Sequence, residues 1–307
     1  MNMIEHVHSY VALKRHLGYK YLDNERILLA WARYAMDRGE PIIRSETMIC
    51  WASESSSSVR AARKLAVASR FAQWLHAEDE RHEIPHKDAV GRTRYQRKPP
   101  YLLTDAEIGM LMEAALQLTP AGSITPHTLH CIIGLVAVTG LRRAEVCGLR
   151  FDDITPDGLV IRWTKFRKSR LVPLSDSANE ALQRYLDIRK RIGGPGDWVF
   201  VHSRAGPIRP QTLTGMFAKL TRATGLRGGC GERGPRLHDL RHRFAVKSLE
   251  QAVATDRDNV NRHILALSTY LGHTKVSSTY WYLEATPVLM RHIACDSEAV
   301  HMGRATS

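Results

Sequence analysis

This chain of 307 residues is poor in cysteine and in acidic charge, and it has no long hydrophobic run. Its five cysteines, Cys50, Cys131, Cys147, Cys230 and Cys295, are odd in number, scattered, and never spaced as CxxC. That argues against a disulfide framework or a cysteine-built zinc site and for reduced thiols. The longest apolar run, Cys131 to Val138, is interrupted by Gly134 and falls short of the roughly 18 residues a membrane helix needs. The opening stretch MNMIEHVHSYVALKRHLGYK lacks a signal-peptide hydrophobic region, so a cytoplasmic protein is expected, with no membrane partner. A Walker motif, a glycine-rich nucleotide fingerprint before a helix, and a carboxylate cluster able to hold two metals are all missing. The expectation is therefore chemistry with no cofactor and no metal.

What the chain does have is positive charge. Lys and Arg number 44 against 31 Asp and Glu, for a net charge of +13. Such an excess suits a polyanion partner, because each neutralised phosphate releases counterions. The length suits two domains. Apolar residues at helical spacing run through IEHVHSYVALKRHLGYK and NERILLAWARYAMDRGE, and the serine run Ser53 to Ser58 reads as a loop and N-cap for a third helix, VRAARKLAVASRFAQWLHAE. On that helix Leu65, Ala68, Ala72 and Leu75 share a face, and Arg60, Arg63, Lys64 and Arg70 are expected on a neighbouring one. The cations are either a solvated surface or a strip laid along a phosphate backbone.

Between Ile84 and Leu103 the sequence is rich in proline and in basic residues and has no apolar period, which marks a linker. The domain boundaries expected are 1–84, a basic linker 85–101, and 102–307. A capping box, Thr104 with Glu107, restarts a helix, and more helices are expected around 127–139, 143–149, 176–191, 210–224, 238–250, 259–271 and 277–284. Two strand-like runs, Leu159 to Trp163 and Arg170 to Leu174, interrupt them as a hairpin. The fold class expected is mainly α (α+β), with a small antiparallel sheet in the larger domain.

Four clusters bring cationic or titratable groups to element ends. In TGLRRAEVCGLRFDDI, Arg142 follows a Thr139-Gly140 turn, and Glu145 on the same face can fix its guanidinium. WTKFRKSR presents Lys165 and Lys168 at a hairpin tip. In RLHDLRHRF, Leu237, Leu240 and Phe244 form a buried stripe while His238 and Arg241 share another face. The last, LSTYLGHTKVSSTYWYLEATP, carries Gly272, His273 and two tyrosines. Taken singly, each is matched by a bland structural reading, such as a surface ion pair or a solvated turn.

Together, the boxes TGLR..E, K..K.R.VPL, HDLRH and LGH followed by a tyrosine nine residues on resemble the tyrosine recombinase (phage-integrase-like) family, over nearly the whole chain. The resemblance implies a helical core-binding domain followed by a catalytic domain. It implies catalytic roles for Arg142, Lys165, His238, Arg241, His273 and Tyr282, with Glu145 in support. The ending further resembles recombinases of bacterial transposable elements. Two departures stand out: the spacing from His238 to His273 is longer than in compact members, with the surplus placed in EQAVATDRDNVN, and the GLRGGCGERGPR loop is long and glycine-rich.

The reaction so implied is phosphoryl transfer from DNA to a tyrosine and back, through a 3′-phosphotyrosyl intermediate and a Holliday junction. Phenol, with a pKa near 10, must lose its proton as it attacks. Two guanidiniums would hold the charge on the phosphoryl oxygens. Lys165 would protonate the leaving 5′ oxygen, His238 would assist at the tyrosine, and His273 would donate to a phosphate oxygen. The partners implied are double-stranded DNA with specific recombination sites, a homotetramer on synapsed DNA, and accessory proteins that the sequence does not name. A type IB topoisomerase-like enzyme that relaxes DNA and a non-catalytic DNA-binding regulator of the same fold are the alternatives. After Tyr282, TPVLMRHIACDSEAV offers an amphipathic segment that could dock onto a neighbouring protomer or pack in cis. Of the two tyrosines, helical spacing groups Tyr280 with Val276 and Leu283 as core and turns Tyr282 away from that stripe.

Overall fold

The structure is a computed structural model. It describes residues 2–86, 88–91, 100–120, 122–162, 169–192, 196–202, 206–229, 232, 234–255, 260–272, 279 and 282. The chain divides into two compact units, Met1–Lys98 and Pro99–Ser307, and the division falls within the stretch expected as linker.

Unit 1 is built from helices α1 (Met3–His16), α2 (Leu22–Asp37), α3 (Ser45–Ser53) and α4 (Ser58–His76). Helix α1 opens on a capping box in which Asn2 and Glu5 satisfy each other's backbone N–H groups at 2.9 and 2.8 Å. Helix α4 begins where the serine run leads, with the Ser57 hydroxyl accepting from the Arg60 amide. The unforeseen element is α3. Its N-cap, Arg44, makes no side-chain cap bond, and the free Ser45 amide donates instead to Glu83 at 2.7 Å. A cap supplied from so far along the chain leaves no local signal. Tyr10, Trp31 and Phe71 are fully buried in this unit's core with Leu28, Met48 and Leu65. Each such side chain stabilises by about 1.5 to 3 kcal/mol.

Unit 2 holds α5 (Asp105–Leu116), α6 (Ile124–Thr139), α7 (Arg143–Cys147), a 3-10 turn (Phe151–Asp153), the strands β1 (Ile154–Thr155), β2 (Gly158–Ile161) and β3 (Arg170–Val172), and helices α8 (Asp176–Ile192), α9 (Pro210–Ala223), α10 (Leu237–Thr255) and α11 (Val260–Leu271). The expected Thr104–Glu107 capping box starts α5. Helix α6 is buried nearly all round, through Leu129, Ile132, Ile133, Leu135 and Val136, and packs against α5, α8 and α10. A helix apolar on every side belongs at the centre of its layer.

The three strands form one antiparallel sheet in the order β1-β2-β3, with Leu159 opposite Val172 and Ile161 opposite Arg170. Strand β1, two residues long, gave no sequence signal. Helix α10 continues to Thr255, past the end expected near residue 250 and into the stretch EQAVATDRDNVN. The fold is therefore mainly α with one small antiparallel sheet. Among the described residues no helix is long and apolar enough to cross a membrane.

Candidate active site

Two helix C-termini organise the site. Helix α6 stops at Thr139, and Gly140 takes a left-handed φ of 62° as its cap. A Cβ there would lie 2.7 Å from the Phe244 ring, so only glycine fits. Helix α11 stops at Leu271, and Gly272 follows with φ 64°. A Cβ on Gly272 would sit 3.1 Å from the Arg170 guanidinium and 3.3 Å from that of Arg142. Both glycines of the TGLR and LGH boxes are thus explained by backbone conformation and close approach.

The two arginines are held by these ends. Arg241, on α10 and 1% exposed, donates to the Gly140 carbonyl at 2.6 Å and to the Leu271 carbonyl at 2.8 Å. Arg142 donates to the Gly272 carbonyl at 2.7 Å and to Glu145 at 2.7 Å. A helix C-terminus carries about half a negative charge, so carbonyls at two of them favour a buried cation. Burial, and then the charge of Arg142, pull the pKa of Arg241 down to about 10, which still leaves it charged at neutral pH.

Glu145 gathers the cations. It accepts from the Arg142 amide at 2.9 Å and from both terminal nitrogens of Arg170 at 3.0 and 2.8 Å. Burial alone would raise its pKa, but the bonds and charges of Arg170 and Arg142 outweigh that and hold it at about 2. Arg170 was not singled out as a site residue from the sequence. Its role becomes visible only once the strand register sets it opposite Ile161 and the sheet is seen beside α7.

His238 lies at the start of α10 with its side chain exposed. Partial desolvation, followed by the charge of Arg241, lowers its pKa. The open ring edge moderates the desolvation. The direction, toward a neutral imidazole, stands on the surrounding arginines as well. Arg241 is near enough to Arg142, His238 and Tyr282 for their charges to act on one another.

Tyr282 corrects one expectation. It does not turn away from the apolar interior: it is 3% exposed, packed with Ala245, Val246, Leu249, Ile264, Leu267 and Leu271. Its hydroxyl lies 3.2 Å from Nδ1 of His242. His242 was also not singled out, although it stands in the HDLRH box; one turn after His238, it reads there as helix packing. Tyr280, Lys165, Lys168 and His273, like the segment after Tyr282, lie outside the described residues.

The four cations of α4 meet different surroundings. Arg63 and Arg70 line a groove of about 710 Å³ with Lys14, Lys20, Tyr19 and Tyr21. Lys64 instead lies over the Trp51 ring at 4.7 Å, and Arg60 bonds to Ser56 at the helix start. At 100° per residue, positions 63 and 70 coincide while 60 and 64 form a second pair.

Residues 102–287 match the phage integrase family. A putative integrase/recombinase, y4rB, of Sinorhizobium fredii (strain NBRC 101917 / NGR234) is 34% identical over 93% of this chain and 93% of its own length. The tyrosine recombinase XerD of Brucella suis biovar 1 is 28% identical over 77% of this chain and 75% of its own. The fold is similar to that of a lambda integrase solved as a tetramer bound to a Holliday junction, with a TM-score of 0.62, 20% identity, and coverage of 90% and 78%.

Proposed function

The chain belongs to the phage integrase family and is a tyrosine site-specific recombinase acting on DNA; from that premise we propose that Tyr282 is its nucleophile and that Arg142 and Arg241 hold the scissile phosphate. The observation that carries this reading is the pair of guanidiniums fixed by carbonyls at two helix ends beside the buried hydroxyl of Tyr282. Phosphoryl transfer asks for little covalent chemistry from the protein beyond the nucleophile and much electrostatic preorganisation. Arginines whose positions are set before DNA binds supply it.

In this reading Glu145 keeps Arg142 and Arg170 in place, Lys165 protonates the leaving 5′ oxygen, and His273 donates to a phosphate oxygen. His238 helps to manage the proton of the tyrosine. The phosphotyrosyl bond conserves the energy of the phosphodiester, so no ATP is called for, and the positive side chains take the electrostatic place of a metal. Residues 1–84 serve as the core-binding domain, 85–101 as a basic linker and 102–307 as the catalytic domain. Arg63 and Arg70, with Lys168 and more weakly Arg60 and Lys64, contact the phosphate backbone. The protein works as a homotetramer on two synapsed duplexes bearing specific sites, with accessory proteins, on the cytoplasmic nucleoid.

The test is Tyr282→Phe on a suicide duplex carrying the inverted repeats mapped beside the gene, nicked just 3′ of the scissile phosphate. The wild-type protein becomes covalently attached to the 3′ end and the variant does not. An adduct formed by Tyr282→Phe would overturn the assignment.

A further inference from the structure

Resting on that reading of Tyr282, we infer that His242 is a further catalytic residue, the base that receives the phenolic proton as Tyr282 attacks the phosphate. Three observations place it there. First, Nδ1 of His242 is 3.2 Å from the Tyr282 hydroxyl oxygen, the reacting atom itself. Second, the pair is sealed from solvent, with Tyr282 3% and His242 6% exposed, so a phenolic proton leaving in this position goes to a protein group before it reaches water. Third, the opposite ring nitrogen, Nε2, faces Oδ1 of Asp239 at 4.0 Å. That is too long for a hydrogen bond, yet it sets a carboxylate on the side of the ring away from the tyrosine.

Asp239 is suited to the task by its own surroundings. It is 1% exposed and accepts from the Arg236 backbone amide at 2.8 Å and from the Arg236 guanidinium at 2.9 and 3.2 Å. The carboxylate is therefore fixed in the first turn of α10, one turn before His242 on the same face. With the proton of a neutral His242 on Nε2, Nδ1 is bare and Tyr282 donates to it. The order carboxylate, imidazole, hydroxyl is that of a serine-protease triad, with a phenol in place of the serine.

The step balances without any added reactant. The Tyr282 O–H bond breaks and its proton passes to Nδ1. A phenolic oxygen–phosphorus bond forms, and the bond from phosphorus to the 5′ oxygen breaks, that oxygen taking a proton from Lys165. Resealing runs the same path backwards: His242 returns the proton to the tyrosine as the 5′ hydroxyl attacks. The ring centre of His238 is 4.5 Å from that of His242, and Arg241 and Arg142 act on the charge of His238.

The experiment compares full-length wild type, His242→Asn and His242→Gln in single-turnover adduct formation on the nicked inverted-repeat duplex, with either tyrosine or 3,5-difluorotyrosine at position 282. Removal of a positioned base costs about 10² to 10⁴ in rate, so both variants with natural tyrosine cleave at least about a hundredfold slower, while gel-shift affinity for the intact duplex stays within about threefold. The fluorinated phenol ionises more readily, so it restores most of the lost rate in the variants and changes the wild type little. Adduct formation by the variants at the wild-type rate overturns the inference and leaves the nucleophile assignment standing. So does a slow rate that fluorination does not restore, since that pattern belongs to a packing defect. An adduct in Tyr282→Phe overturns both. Should the variants fail to bind the duplex, the wild type decides alone. Base catalysis makes its rate nearly insensitive to fluorination, and a rise in proportion to the phenol's acidity overturns the role.

Discussion

Two arginines of this basic chain, Arg241 in unit 2 and Arg70 in unit 1, stand in opposite surroundings. Arg241 is buried, with two carbonyls from distant parts of the chain fixing both terminal nitrogens. Arg70 is exposed, in an open groove of lysines and tyrosines. On the proposed reading, each is asked to do something different. A cation that stabilises a transition state must be in place beforehand, and the protein meets the desolvation cost with helix-end carbonyls. A cation that only attracts a phosphate backbone keeps its hydration and its freedom until the DNA arrives.

The comparison is broken most severely at Arg241. A lysine there keeps the charge but loses the planar fork, and one ammonium on a flexible stem cannot reproduce two fixed bonds to Gly140 and Leu271. Arg241→Lys is expected to lower single-turnover adduct formation by about 10² to 10³, with DNA affinity little changed. A loss under tenfold would mean that charge suffices and that the carbonyl cradle does not set the rate.

The same contrast explains how much the sequence disclosed. The boxes around Arg142 and Arg241 are short, and their glycines and acid are local, so the helices could be read directly, whereas the meeting of the two arginines was implied only by the family resemblance. Arg170 and His242 stand inside the quoted boxes, but their partners, like the Glu83 cap of α3, lie far along the chain, and such pairings leave no periodic trace. Helical spacing also misjudged Tyr282. It weighed only an expected stripe of Val276, Tyr280 and Leu283, which lie outside the described residues, and did not foresee the pocket that α10 and α11 provide for the ring. The cations of α4 could be counted from the sequence, but the partners that distinguish them, Trp51 for Lys64 and Asp23 for Arg63, could not.

A second prediction sharpens the buried side of the comparison. Glu145 has its pKa held at about 2 in the folded chain by Arg170 and Arg142, against an ordinary value of 4.5. A depressed carboxylate stabilises the fold above its unfolded pKa and loses that contribution as pH falls toward the folded one. The shift corresponds to something on the order of 3 kcal/mol at neutral pH. Denaturant unfolding of wild type and Glu145→Gln at a series of pH values should therefore show a gap that is largest near pH 7. The gap should hold down to about pH 4.5 and narrow steadily toward pH 3. A gap independent of pH would mean that the amide disturbs packing, not charge.

The smallest effect is expected at the exposed arginines, and it differs between them. Each phosphate contact removed should reduce the slope of log affinity against log salt by about one. Arg70→Ala should show that full change and a loss of affinity of about tenfold or less. Arg63 already has Asp23 at 3.9 Å, which offsets part of its charge, so Arg63→Ala should change both slope and affinity less. Neither should alter adduct formation once the duplex is saturated if, as proposed, these arginines contribute to DNA binding alone. Gel shifts at several salt concentrations, paired with the suicide-substrate rate at saturation, separate the two behaviours. A fall in the saturated rate for Arg70→Ala would show that unit 1 also helps to set the cleavage geometry.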